Sequence, residues 1–382
     1  MTDDSQDPAD ELLLEPLQHT PEEDAKENRK KAIRELVIVG IVMFFIFVVF
    51  LPQFIDYGQV VDSILKLSIG EILLLSALGL AFTWFSAGIY NVLIPGLGWW
   101  DGWKAWAASN SIAFIAPPGA DLAIRFGMYR TAGITGEAAG AGIVLSWFFG
   151  TGYKLVVPII ALTWVLIAEG LNDDLAVTIT LIGLAAIIGG AGLVALVLYR
   201  ESIARKIGEV GQRWYNGLAG GRWKFPEAEG LGVKLVDFRG QVKGTLKARW
   251  FPALVVTLVA QAIFFIGLVL SMRFMGVTED QASIGLIFDA YAVGLLLSMI
   301  PIFPGGLGVV ELAYVGIIVG GEASSNPELA NAVTAGAFVH RIFSWLLPIL
   351  VGLIPLMGWR RQMVKADGTE DAAPVADDTA AE

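Results

Sequence analysis

Apolar residues along this chain come in long unbroken runs, neither alternating nor confined to one helical face. Leu36–Phe54, Ile72–Ile94, Glu137–Ala168, Leu175–Tyr199, Trp250–Met272 and Ala330–Met357 are each long enough for a helix to cross a hydrocarbon layer. The runs do not show the alternation of a transmembrane barrel, so the pattern predicts an all-α, polytopic integral membrane helical bundle. Lys26, Arg29, Lys30, Lys31 and Arg34 directly precede the first run, which places the N-terminus in the cytoplasm. The run is too long for a cleaved leader, so it reads as a retained helix.

Two pairs of shorter segments interrupt this series. Trp103–Ala116 and Ala120–Thr131 flank Pro117-Pro118-Gly119, while Ala282–Ile300 and Val309–Gly320 flank the stretch Pro301-Ile302-Phe303-Pro304-Gly305-Gly306-Leu307-Gly308. Each pair is too short for two full crossings and reads as a re-entrant hairpin broken by Pro and Gly. Counting crossings, with acidic connections outside and basic ones inside, the first hairpin enters from the cytoplasm and the second from outside. The order is helix, helix, hairpin, helix, then the same order inverted. Inverted repeats with broken helices are the construction of many secondary transporters. The helix starting at Glu137 is one piece, or two if Gly150 and Gly152 break it.

Charge refines the map. The chain has a net charge of −11 and a mean hydropathy of +0.65. Residues 1–27 hold ten acids against one lysine, and residues 366–382 hold six acids and no base, so the rest is net positive. Residues 1–34 therefore read as a disordered acidic tail with a basic flank, 35–360 as the membrane domain, and 361–382 as a second disordered acidic tail. Residues 200–249 carry eleven Lys/Arg against five Asp/Glu and read as a cytoplasmic basic loop contacting anionic headgroups. Both termini are expected in the cytoplasm.

The second break ends in an acid. The motif Pro304-Gly305-Gly306-Leu307-Gly308-Val309-Val310-Glu311 resembles the signature of the flippase-like transmembrane domain of bacterial lysylphosphatidylglycerol synthases. Pro118-Gly119-Ala120-Asp121 with Arg125, and Arg341 inside the last helix, are similar to further family elements. The likeness covers roughly residues 36–360. It departs in the long middle helix, where Ser146-Trp147 stands near the place of an acid–arginine pair in relatives. The 21-residue polar tail after residue 361 leaves no room for an aminoacyl-transferase domain, so lipid aminoacylation is not expected of this chain. The resemblance implies a flippase-like protein of a bacterial or archaeal cell membrane. It would handle an anionic phospholipid or a polyprenyl-linked headgroup.

The residues suggest how. Helix N-termini carry partial positive charge and unpaired N–H groups, and glycine lets an anion approach them closely. Gly119, and Gly305, Gly306 and Gly308, lead into such termini. The alternative is that these glycines only permit tight turns. Asp121 and Glu311, in the first turns that follow, either cap their helices or exchange protons and couple transport to a proton gradient. Arg125 and Arg341 suit a phosphate; equally, Arg341 pairs with Glu311 or Asp289, and Arg125 with Asp121. Asp289 is a further cavity-lining candidate. Lys154, His340, Ser109 and Asn110 follow as weaker ones, and Arg130 reads as an interfacial base.

Other classes fare less well. With no cysteine, two histidines and no phosphate-binding loop, neither an enzyme cofactor nor a metal centre is expected. No nucleic-acid partner is expected either. A lipid glycosyltransferase using a lone acid, and a non-transporting scaffold, stay open as alternatives, as does a homo-oligomer.

Overall fold

A computed structural model of the chain describes residues 57–113, 119–169, 189, 199–219, 230–300, 304–320 and 326–370. The expected span 36–54, nearly all of 175–199, the acidic N-terminal tail and residues 371–382 lie outside the described residues. So do Pro117, Pro118 and residues 301–303 at the two breaks.

Every described element is a helix or helical turn. They are α1 (Tyr57–Leu65), α2 (Ile69–Leu93), α3 (Trp99–Ile112), α4 (Ala120–Thr131), α5 (Gly136–Glu169), α6 (Glu201–Ala219), α7 (Leu231–Phe274), α8 (Ile284–Leu297), a 3₁₀ turn (Pro304–Gly306), α9 (Val309–Ile318), α10 (Pro327–Arg341), a π-helical turn (Ile342–Leu346) and α11 (Leu347–Glu370). Among the described residues, four stretches are long and apolar enough to cross a membrane: Ile69–Leu93, Gly136–Ala161, Val242–Phe274 and Pro327–Gln362. Local chemistry sets several ends. Ser68 and Glu71 form a capping box at α2, Ser283 caps α8, and Asn326 followed by Pro327 opens α10.

At ~1.5 Å per residue, the 14 residues of α8 and 10 of α9 fall well short of a hydrocarbon thickness of roughly 30 Å. The two pack on each other, as do α3 and α4. Beyond that the contacts repeat with the halves exchanged. Helix α3 packs against α11 while α8 packs against α5, and α4 meets α5 as α9 meets α10. Helices α2 and α7 form an extensive pair between them. In each pair, one short helix thus leans on a long helix that follows the other pair.

Two apolar cores result. One gathers Leu268 and Met272 of α7, Ile287 and Tyr291 of α8, Val315 of α9 and Val333 of α10. The other gathers Leu93 of α2, Ala108 of α3, Tyr129 of α4, Ala253 of α7 and Leu356 of α11. Helix α5 serves both, through Ala139 and Leu145 in the second and Val157 and Ala161 in the first. It runs unbroken through Gly150 and Gly152, which settles its continuity. Its outer face leaves Trp147, Ile160 and Trp164 more than half exposed, as a lipid-facing surface requires.

Two segments differ from the sequence reading. The basic stretch 200–249 is helical where described: α6 is amphipathic and packs on the first turns of α7, a 44-residue helix that runs on into the membrane-length stretch. Periodicity at 3.6 residues in 201–219 carried that signal, but the dense charge masked it. Helix α11 likewise continues to Glu370, into the stretch read as a disordered tail.

Candidate functional site

The second break is where the chain's chemistry converges. Gly305, Gly306 and Gly308 all have positive φ (58°, 71° and 82°), so the backbone turns in a region that side-chain-bearing residues avoid. At Gly305 there is a second reason. A Cβ there would lie 1.7 Å from Cη2 of Trp345, so the indole rests directly on the glycine backbone.

Gly308 is the N-cap of α9, and its N–H donates to Glu311 Oε2 at 2.8 Å. Glu311, with no exposed surface, thereby satisfies one of the orphan donors of the helix start. Its other oxygen, Oε1, accepts from Nε of Arg341. Nη1 of Arg341 reaches the Gly305 carbonyl at 3.3 Å, and the guanidinium stacks 4.4 Å from the Trp345 ring. Nη2 makes no hydrogen bond among the described residues.

Trp345 is four residues after Arg341, and the π-helical turn between them widens the helix there. That turn also presses on α2, where a Cβ at Gly79 would stand 2.1 Å from the Phe343 carbonyl oxygen. π-Turns inside α-helices recur at functional sites because they re-aim side chains.

A cavity of about 200 Å³ opens beside this cluster. Arg341, His340 and Lys154 line it, and Glu311 contributes to the wall without accessible surface of its own. Its floor carries Tyr291, which donates to Gln261 Oε1 at 3.1 Å and lies 3.2 Å from the Tyr153 hydroxyl. Phe264 packs edge-on to His340 with centroids 4.4 Å apart, and Nε2 of His340 is buried with no hydrogen-bond partner among the described residues.

The first break is built differently. Gly119 (φ 88°) is the N-cap of α4, and Asp121, half-buried in the first turn, makes no hydrogen bond or ion pair among the described residues. The expected alternative of an Asp121–Arg125 pair is not formed. Arg125 is buried and donates from Nε and Nη2 to Ser109 Oγ at 2.9 and 2.7 Å, and from Nη1 to the Tyr90 hydroxyl, above whose ring it sits at 4.8 Å. Asn110 donates to the Trp106 carbonyl instead of facing a site. Arg130 donates to the Ile134 carbonyl, just beyond the end of its own helix.

The structure thus brings together Gly305, Gly308, Glu311 and Arg341, with the weaker candidates Lys154 and His340. Arg125, Asp121 and Gly119 do not line that cavity, nor does Asp289, half-buried on α8. Pro304 and Gly306 belong to the turn but not to the cavity lining. The sequence reading missed Trp345, Tyr291, Gln261 and Tyr90. Trp345 was legible as an aromatic one turn beyond an intramembrane arginine; the other three are polar groups in apolar runs, and only the packing of different helices makes them neighbours.

Comparison with known proteins agrees with the residues. A stretch of 90 residues, 24% of this chain and 24% of the relative, is 39% identical to a UPF0104 membrane protein of Methanothermobacter thermautotrophicus. The matched stretch spans about a quarter of that relative's length. No solved structure matches the chain. The family described as the lysylphosphatidylglycerol synthase TM region matches residues 37–352, which include both breaks, Glu311 and Arg341. The chain therefore belongs to the lysylphosphatidylglycerol synthase transmembrane-region family.

Proposed function

We propose that this membrane protein is a flippase-like carrier that moves an anionic lipid, a phospholipid or a polyprenyl-linked one, across the cell membrane. The observation carrying the reading is Arg341. It lines the cavity at the broken helix, keeps its geometry through Nε, Nη1 and Trp345, and has Nη2 left over for a ligand. A guanidinium held in this way presents a ready donor to a phosphate oxygen. The paired short helices act as hairpins re-entering from opposite faces, and both termini lie in the cytoplasm.

In this reading the headgroup enters the cavity while the acyl or prenyl chains stay in lipid. Its phosphate competes with Glu311 for the guanidinium. Glu311, the acid that the phosphate displaces, is the group through which headgroup movement would couple to a proton gradient. The chain carries out no bond-making step.

The experiment is translocation of fluorescent phosphatidylglycerol and phosphatidylcholine in proteoliposomes by wild type, Glu311→Gln and Arg341→Ala. Movement by wild type that is lost in Arg341→Ala, with pH dependence lost in Glu311→Gln, is the expected result. Absence of movement of either lipid by well-folded wild type overturns the reading.

A further inference from the structure

We propose that Lys154 is the residue that makes the cavity select a headgroup of net negative charge, by holding the same anion as Arg341 from the opposite half of the chain. The proposal deepens the carrier reading and rests on it for the cavity's role.

Lys154 is the sole base of α5, a 34-residue helix otherwise apolar or small through its middle. It is half-buried, lines the cavity, and makes no ion pair or hydrogen bond among the described residues. A lysine at membrane depth is costly and persists where it meets an anion or water. The acid in the cavity wall is Glu311, and both its oxygens are engaged, by Gly308 N–H and by Arg341. Among the described residues no other acid lines the cavity. Two cations against one committed carboxylate leave the chamber with one positive charge uncompensated.

The placement sharpens the point. Helices α5 and α10 close the two duplicated halves, and each contributes one cation to the same chamber. An anion bound there would bridge them, with Arg341 offering Nη2 and Lys154 its ammonium. A volume of about 200 Å³ has room for a phosphodiester and a small alcohol, not for acyl chains. The ligand class is therefore a phosphodiester whose alcohol is uncharged. A zwitterionic headgroup brings its own ammonium into a site that already holds surplus positive charge.

The test uses binding, so that it stands apart from transport. Detergent-purified full-length protein is titrated with short-chain phosphatidylglycerol and short-chain phosphatidylcholine, and thermal stabilisation is read for wild type, Lys154→Gln and Lys154→Arg. Wild type should bind the anionic lipid about tenfold more tightly than the zwitterionic one, the scale of one unit charge at a partly screened site. Lys154→Gln should erase that preference and Lys154→Arg keep it. Equal stabilisation of wild type by the two lipids, or by neither, overturns the proposal even if Lys154→Gln fails to fold. So does a Lys154→Gln protein that keeps the preference. Selective binding without translocation would leave Lys154 its role and sink the carrier reading alone.

Discussion

Breaking the Glu311–Arg341 pair should cost unequal amounts from its two sides, because the partners are buried unequally. The Glu311 side chain is 0% exposed and that of Arg341 12%. Arg341→Met leaves a fully buried carboxylate without its ion-pair partner, and removing one partner of a buried pair costs about 3–5 kcal/mol. Glu311→Gln is milder. The amide oxygen can still accept from Gly308, and the freed guanidinium can turn toward the cavity, so the loss is that of a charged hydrogen bond, about 1.5–3 kcal/mol. The double variant removes both charges and should cost less than the sum of the singles by roughly 2 kcal/mol. Reversible unfolding in mixed micelles of the four proteins measures all three quantities. Additive losses, or an Arg341→Met variant within about 1 kcal/mol of wild type, would mean that the pair does not hold the break together.

Gly352→Ala on α11 should cost several kcal/mol, since its Cβ would meet the Ala107 carbonyl oxygen at 2.1 Å and push α11 off α3; Gly150→Ala on α5, with nothing within 4 Å, should instead stabilise by about 0.5–1 kcal/mol, and melting curves of the two check the sign. Gly305→Ala should displace the Trp345 indole and with it Arg341, seen as a shifted tryptophan emission together with lost lipid movement; unchanged emission would contradict the contact. Arg125→Met should leave stability within about 1 kcal/mol or raise it, because the buried guanidinium has only hydroxyl partners among the described residues, and a drop above about 3 kcal/mol in the same unfolding assay would show an acid holding it.

Much of this was written in the sequence because membranes leave few options. Ala120–Thr131 falls where Pro117-Pro118-Gly119 and the following polar turn place it, and α9 begins at Val309 as the glycines before it dictate. Backbone groups in lipid must bond internally, so helix ends can occur only where Pro and Gly force them. Glu311 as partner of Arg341 was one of two acids open to it; Asp289 was the other, and spacing alone could not choose. The choice falls to Glu311 because its carboxylate reaches back to the Gly308 N–H and so stands at the tip that packs on α10. Asp121 looked equivalent at the first break. It stands one position nearer its helix start on a shorter side chain, and it engages neither its cap nor Arg125. The helical state of 201–219 and the Tyr153–Tyr291–Gln261 contacts depend on packing between distant segments, which local periodicity does not encode.

The duplicated contacts and the unduplicated chemistry fit together. Helices α3 with α11 and α8 with α5 pack in the same sense, a short helix against a long one. The polar groups at the two breaks do not match. The first break sets Arg125 among hydroxyls and apolar rings, a buried cation locked to Tyr90 and Ser109. The second sets Arg341 on an acid and a tryptophan with a donor to spare, and borrows Lys154 from the first half to line the same chamber. In the proposed carrier, a repeated frame would supply the two interchangeable arrangements that alternating access requires. In the proposed carrier, a single asymmetric cavity would let one headgroup, not two, pass between them. In the same proposal the ion pair at the second tip is the element a ligand acts on: an incoming phosphate would gain the guanidinium only by loosening Glu311, and loosening Glu311 would free the cap of α9.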